Sequence, residues 1–352
     1  MTTQNNTPSR LARAWDSDLA YSFRKTPMAI ISAIVVILLI LSALLAPWIA
    51  PLNPFDPSTL NLMNGFTPPS TPNAFTGETF LIGTDDQGRD VFSTILFGMR
   101  ISLFVGFSAV FLAIILGVTL GLLAGYLGGW IETIIMRVAD IQLTFPSIMV
   151  AMLIFGIAKG ITPPEYRDQM AIWVLILAIG LSDWVQFARV VRGATLVEKN
   201  KEYVQAARLI GRSPVTIMLR HILPNVLNPV LVIATISLAL AIIAEATLSF
   251  LGVGAPPTKP SLGTLIRIGQ EYMFSGEWWI LLFPAVTLLA LALAINLLGD
   301  WLRDALNPRL RQWKIQSYPS AIWLWKSRHD TAFCGQSITS AMIFTPVKSW
   351  AS

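Results

Sequence analysis

The 352-residue sequence is poor in the residues from which catalytic and metal-binding sites are usually built. It holds one cysteine, Cys334, which excludes an internal disulfide framework and any cysteine-cluster metal site. Its two histidines, His221 and His329, are too few for most histidine-based metal sites. No glycine is followed directly by lysine, so the GxxxxGK[ST] loop that cradles nucleotide phosphates is missing. Charged residues make up only 13%, where a soluble domain would carry about a quarter. What fills their place is apolar: 54% of residues, with a mean hydropathy of +0.62. A bilayer is the solvent that suits such a surface. The net charge of +5 does not by itself argue for nucleic acid, because the positions of the charges decide. No catalytic residue, cofactor or metal site is expected, and no nucleic-acid partner.

A membrane span needs about 20 mostly apolar residues. Six segments qualify: 28–50, 101–124, 134–158, 170–190, 227–251 and 278–301. The sequence therefore predicts an all-α polytopic membrane protein with about six transmembrane helices. The run 28–50 is too long for a signal-peptide core and suits an uncleaved anchor. The expected order is a tail over 1–27, a first helix over 28–50, a loop over 51–98, a helical core over 99–301 and a tail over 302–352. The Pro-, Asn- and Thr-rich stretch 51–80 reads as a loop rather than a domain.

The basic residues orient the chain. With the N-terminus inside, 19 of the 25 Lys and Arg fall in inside segments and six in outside ones. This is the positive-inside pattern, so both termini are expected to be cytoplasmic and the 51–98 loop periplasmic.

The most charged segment, 196–230, still has a helical period. Tyr203, Ala206, Ala207 and Ile210 fall at i, i+3, i+4 and i+7, an apolar stripe of small residues on a helix of about two turns. Gly211 suits a C-terminal stop, and Ser213-Pro214 an N-cap with proline at the first helical position. Leu223-Pro224-Asn225 is expected to end the second helix before span five. A helix this short is marginal alone and needs a docking surface. Physics leaves two readings open, a coupling element for a partner or an amphipathic helix on the lipid headgroups.

This segment resembles the signature loop of bacterial ATP-binding cassette importer permeases: Glu-Ala-Ala, three residues, Gly, nine residues, Ile, one residue, Leu-Pro. Ala206, Ala207, Gly211, Leu223 and Pro224 stand in register. Gln205 replaces the glutamate and His221 the isoleucine, departures that are similar to the dipeptide, oligopeptide and nickel branch, which Glu202, Tyr203, Val204, Arg208, Arg220 and Asn225 also match. Further matches run in order along the chain: Gly83-Thr84-Asp85 with Gly88-Arg89-Asp90, Met136-Arg137 with Asp140 and Pro146, Glu245 with Leu248 to Gly252, and Asn296 to Asp300 with Leu302 to Pro308. Pro260-Ser261-Leu262-Gly263 departs mildly from the branch's Pro-Ser-Trp-Gly.

The resemblance, closest to the dipeptide permease C-type subunit, implies a type I importer permease fold in the bacterial inner membrane. It implies a coupling loop over 196–225 in which Glu202, Tyr203, Ala206, Ala207, Gly211, Leu223 and Pro224 engage an ATPase subunit. It also implies the partners: a second homologous permease, two ATPases, a periplasmic substrate-binding protein and the bilayer. Di- or oligopeptides are the implied cargo, with nickel or peptide-like antibiotics as alternatives. A self-sufficient secondary transporter would show paired intramembrane acids or an inverted repeat, and a membrane-embedded enzyme would need convergent His, Asp or Glu residues.

Charges inside spans are costly and tend to face a cavity or a partner. Arg137 and Asp140, three apart, suit an ion pair on one helix face. Asp183 and Gln186 could line the inner mouth, while Glu245 suits helix packing or substrate contact. The glycines at 117, 121, 125, 128 and 129 include small-xxx-small spacing, suited to close helix packing. Beyond residue 311 the chain loses all periodicity and carries four of the 12 tryptophans. The segment 312–352 is expected to be a non-homologous, poorly ordered extension.

Overall fold

The computed structural model describes residues 18–56 and 60–306, and the 312–352 extension lies outside them. Among the described residues there is no β-strand, only two isolated bridges in the loop before the second long helix. In lipid each backbone N–H and C=O must find its partner inside its own segment, and long helices are the result.

A short helix α1 (Asp18–Lys25) leads into α2 (Pro27–Leu44), which starts with proline at N1 and adds one more turn over Ala46–Ile49. Helix α3 (Val91–Leu127) is 37 residues long, about 55 Å, and overreaches a hydrocarbon core of about 30 Å. It starts at Val91, inside the loop expected to run to 98. Asp90 is the reason: its carboxylate accepts from Ser93 N at 2.9 Å and caps the first turn. Then come α4 (Gly129–Leu143), α5 (Ser147–Ile161), α6 (Arg167–Glu198), α7 (Glu202–Leu209), α8 (Leu223–Phe250), α9 (Leu262–Tyr272) and α10 (Trp279–Leu306). Among the described residues five helical segments are long and apolar enough to cross a membrane.

The sixth expected span, 134–158, is not one rod. It is the pair α4 and α5, bent by 97° at a break of a few residues. Pro146 stands at the break: it has no N–H to give, and its ring would collide with the carbonyl four residues back. Counting the bent pair as one crossing gives six.

The bundle is built on α3 against α6. A Cβ on Gly117 would stand 2.4 Å from Phe187 Cβ, one on Gly121 2.6 Å from Ala188 O, and one on Gly125 2.7 Å from Thr195 Cβ. The three glycines, four apart, form a flat track along which α6 lies against the α3 backbone. Around it Val105, Ala109, Ala113, Leu175, Ile179 and Val191 close the main core. A second core joins α2, α3, α8 and α10 through Val36, Met99, Ile242 and Leu291.

The loop ahead of α3 is held by polar contacts. Asp85 accepts from Gln87 N, from Arg89 N and from Arg89 Nε at 2.6 Å, and both side chains of that ion pair are buried. Burial raises the Asp85 carboxyl, while the charge and hydrogen bonds of Arg89 oppose the rise. Trp279 Nε1 donates to Thr84 O at 3.0 Å, fastening this loop to the start of α10. The Gly-Thr-Asp and Gly-Arg-Asp blocks are thus a structural clasp.

Candidate functional site

The segment 196–225 gathers at the end of the bundle where α6 stops and α8 starts. Helix α7 ends in a Schellman turn: Arg212 N donates to Ala207 O at 3.1 Å and Gly211 N to Arg208 O at 3.0 Å. Gly211 takes φ +78 to make it, and a Cβ there would meet nothing within 4 Å. The need for glycine is conformational and not steric. Gly211→Ala is therefore expected to cost about 1–2 kcal/mol, read as a lower unfolding midpoint in detergent with little change in the bundle itself.

The stripe expected to dock on a partner does not form one exposed face of the helix. Val204 is fully buried and Ala207 is 6% exposed, both within the main core, while Tyr203, Ala206 and Ile210 face outward. The stripe predicted from Tyr203, Ala206, Ala207 and Ile210 is split between two faces. Val204 and Ala207 stand three apart, on one side of the helix, and that is the side the main core takes up. The bare tip is Leu209 at 89% exposure and Ile210 at 77%, with Glu202 also exposed on the first turn.

Tyr203 pins α7 to both long helices. Its hydroxyl donates to Glu198 Oε2 of α6 at 2.6 Å and accepts from Asn225 Nδ2 of α8 at 3.1 Å. Burial, followed by the hydrogen bond and charge of Glu198, raises the Tyr203 phenol above its ordinary value, so it remains a proton donor at neutral pH. Lys199 Nζ donates to Gly125 O at 2.7 Å and ties the same corner to α3.

Ser213 Oγ accepts from Thr216 N at 3.3 Å, the expected cap, but the helix it starts does not end at Leu223-Pro224. Residues Ile217–Ile222 form a π-helix that runs unbroken into α8. Leu223 N reaches back five residues to Met218 O, and the widened turn makes room for Pro224, which has no N–H to place. Leu223 and Pro224 open α8 instead of closing its predecessor.

The intramembrane polar residues scatter. Asp140 pairs with Arg189 of α6 at 2.5 Å, across helices, and not with Arg137 on its own helix. Asp183 and Gln186 are half-buried on α6. Glu245 is fully buried; its Oε1 accepts from Ser249 Oγ at 2.7 Å, and that oxygen in turn accepts from Ala255 N at 3.1 Å. The sequence reading missed Glu132, Arg189 and Arg192. Helix α6 runs to Glu198, beyond the expected end of the span at 190, so Arg192 sits on the same helix as Arg189 and meets Glu132 at 2.5 Å. The i, i+8 spacing of Glu132 and Asp140 opposite Arg189 and Arg192 was the available signal. Among the described residues no group of three His, Cys, Asp or Glu side chains could hold a metal ion.

Apolar helices long enough to cross a bilayer, with a short anchored helix that presents a bare apolar tip at one end, define a multi-pass membrane protein. The chain belongs to the family of binding-protein-dependent transport system inner membrane components, whose profile matches residues 117–312. The profile of the N-terminal TM domain of oligopeptide transport permease C matches residues 9–69. A chain of Brucella suis biovar 1 described as a peptide transport system permease protein is 40% identical over 281 residues, 80% of this chain and 88% of that one. The glutathione transport system permease protein GsiD of Shigella flexneri serotype 5b is 42% identical over 293 residues, 82% of this chain and 89% of that one. A solved inward-facing structure of the MetNI methionine ABC transporter covers 61% of this chain and 96% of its own at a TM-score of 0.47 and 21% identity. The chain is thus a permease component of an ABC importer, a multi-pass inner-membrane protein that works with ATPase and substrate-binding partners.

Proposed function

We propose that this permease pairs with a second, homologous permease and with two ATPases, and passes di- or oligopeptides received from a periplasmic binding protein, with both of its termini in the cytoplasm. The observation that carries the reading is the bare Leu209–Ile210 tip on a helix whose other side is locked into the bundle. The names of relatives at 40–42% identity support peptides as cargo. The excess of basic residues in the segments placed inside supports the orientation.

In this reading ATP binding draws the ATPases together and moves the α7 tips with them. Tyr203 hands that motion to α6 through Glu198 and to α8 through Asn225, so one displacement reaches two spans. ATP binding then shifts a two-state equilibrium between inward- and outward-open bundles. Glu245 serves as an internal brace of α8. The test is reconstitution in vesicles, scored with labelled trialanine and glutathione. Uptake is expected only with the second permease, the ATPases, the binding protein and ATP all present. Uptake by this chain alone overturns the reading.

A further inference from the structure

Helix α4 is hinged at both ends. At its start, Gly128 and Gly129 both take positive φ, +69 and +60, and a Cβ on Gly129 would meet nothing within 4 Å. At its end lies the 97° break beside Pro146. Between the hinges α4 buries only Ala139. Its apolar residues Trp130, Ile134, Val138 and Ile141, spaced along one face, are exposed, whereas its carboxylates turn towards α6. Beside those carboxylates Ile135, Met136 and Ala139 pack towards the bundle.

Ala139 packs on Trp184, Val185 and Ala188 of α6, and polar contacts flank that apolar patch. Glu132 Oε1 accepts from Arg192 Nε at 2.6 Å, and Asp140 accepts from Arg189. Gln142 accepts from Trp184 Nε1 and donates to the carbonyls of Leu181 and Ser182, all at 2.9 Å. Between the helices lies an open cleft of about 480 Å³, walled by Glu132, Thr133, Met136, Asp140, Arg189 and Arg192. Arg189 stands nine residues, about 14 Å, before the end of α6. The cleft therefore reaches inward from the α7 corner.

Charges in a spanning bundle face a cavity or a partner, and here four of them face one another around one cavity. We propose that this cleft is the stretch of the translocation path nearest α7, and that its two ion pairs solvate the ammonium and carboxylate of a zwitterionic peptide by exchanging partners with them. Both pairs are partly exposed, so each is weak and breaks at small cost. A path needs that property, since it must admit a solute without retaining it. The two hinges allow α4 to swing while the pairs are exchanged. The proposal rests on the peptide reading above.

Cysteine accessibility tests it. In the assembled transporter, with Cys334→Ser removing the one native cysteine, Thr133→Cys and Met136→Cys place thiols in the cleft, and Ile134→Cys and Val138→Cys place them on the opposite face. A cationic thiosulfonate is expected to modify the cleft thiols at least tenfold faster than the outer ones. Trapping the ATPases with vanadate is expected to change the cleft rates at least tenfold and leave the outer rates alone. Equal rates on the two faces, or cleft rates indifferent to trapping, overturn the proposal. A second arm pairs Asp140→Asn with Arg189→Gln in the same vesicles. Uptake of whichever probe the wild type accumulates, trialanine or glutathione, is expected to fall at least tenfold, with ATP hydrolysis still stimulated by the binding protein. Unchanged uptake overturns the proposal as well. Loss of that stimulation in the wild-type assembly would count against the coupling reading instead, which keeps the two failures apart.

Discussion

Converting the α7 tip to Leu209→Asp with Ile210→Asp is expected to abolish ATP-driven uptake and to release the ATPases from the membrane. The two side chains are among the barest apolar groups of the protein. Neither belongs to the buried set that holds α7 in place, which is Val204 and Ala207. Charging them leaves the fold untouched, because each new carboxylate points to water in the free subunit. In the complex the same carboxylates would be desolvated without partners. Interface anchors cost about 2 kcal/mol or more apiece when lost, so the pair should weaken attachment by about 4 kcal/mol, roughly a thousandfold. Co-purification of the ATPases and their retention on vesicles read the first effect, and labelled uptake the second. Normal ATPase retention by the charged tip would show that the partner is engaged elsewhere. Ala207 is a poor probe by comparison, since a bulky residue there would strike the protein's own core.

Gly121→Leu is expected to prevent the bundle from closing. The added Cβ would stand 2.6 Å from Ala188 O and 2.8 Å from Val191 Cβ, neither of which is the movable end of a flexible side chain. Helix α6 would have to back away along its length, opening the contact with α3 that Gly117 and Gly125 also depend on. Overpacking a tight core costs about 1–3 kcal/mol, and rigid neighbours at this distance place the leucine variant at or beyond the upper end. The expected results are a drop in membrane-inserted, folded protein of at least tenfold and a lowered midpoint in a detergent thermal melt. Gly156→Ala on α5 is the matched control: a Cβ there meets nothing within 4 Å, and alanine is the better helix former. It should melt at or slightly above the parent. Equal behaviour of the leucine and alanine variants would contradict the close approach of α3 and α6.

The bundle was legible because a membrane helix announces itself by length and hydropathy alone. Five of the six runs read as spans fall mainly in one helix each and the run 134–158 in the bent pair α4 and α5, and the glycines at 117, 121 and 125 announced a close neighbour without naming it. Boundaries were harder to read. Asp90 started α3 early through one side-chain cap, and α6 ran on past 190 to Glu198, carrying Arg192 to Glu132 of α4, a pairing that belongs to tertiary structure. The break at Pro146 had a visible cause in the residue, yet nothing local says whether a proline bends a helix slightly or folds it back by 97°. In the loop, the cap at Ser213 and the stop at Gly211 were local chemistry and could be read. Which face of α7 turns inward could not, because short periodic runs offer two stripes, and tertiary packing of Val204 and Ala207 against the main core selects between them.

The wide turn at Ile217–Ile222 has a consequence for how the corner is phased. A π-turn amounts to one surplus residue in a rod that otherwise advances about 100° per residue. Everything ahead of it, α7 included, is therefore set one position around the axis of α8 from where an unbroken spiral would put it. Removing a single residue from that stretch would leave a continuous α-helix and swing the tip by about a quarter turn around the axis of α8, with its composition unchanged.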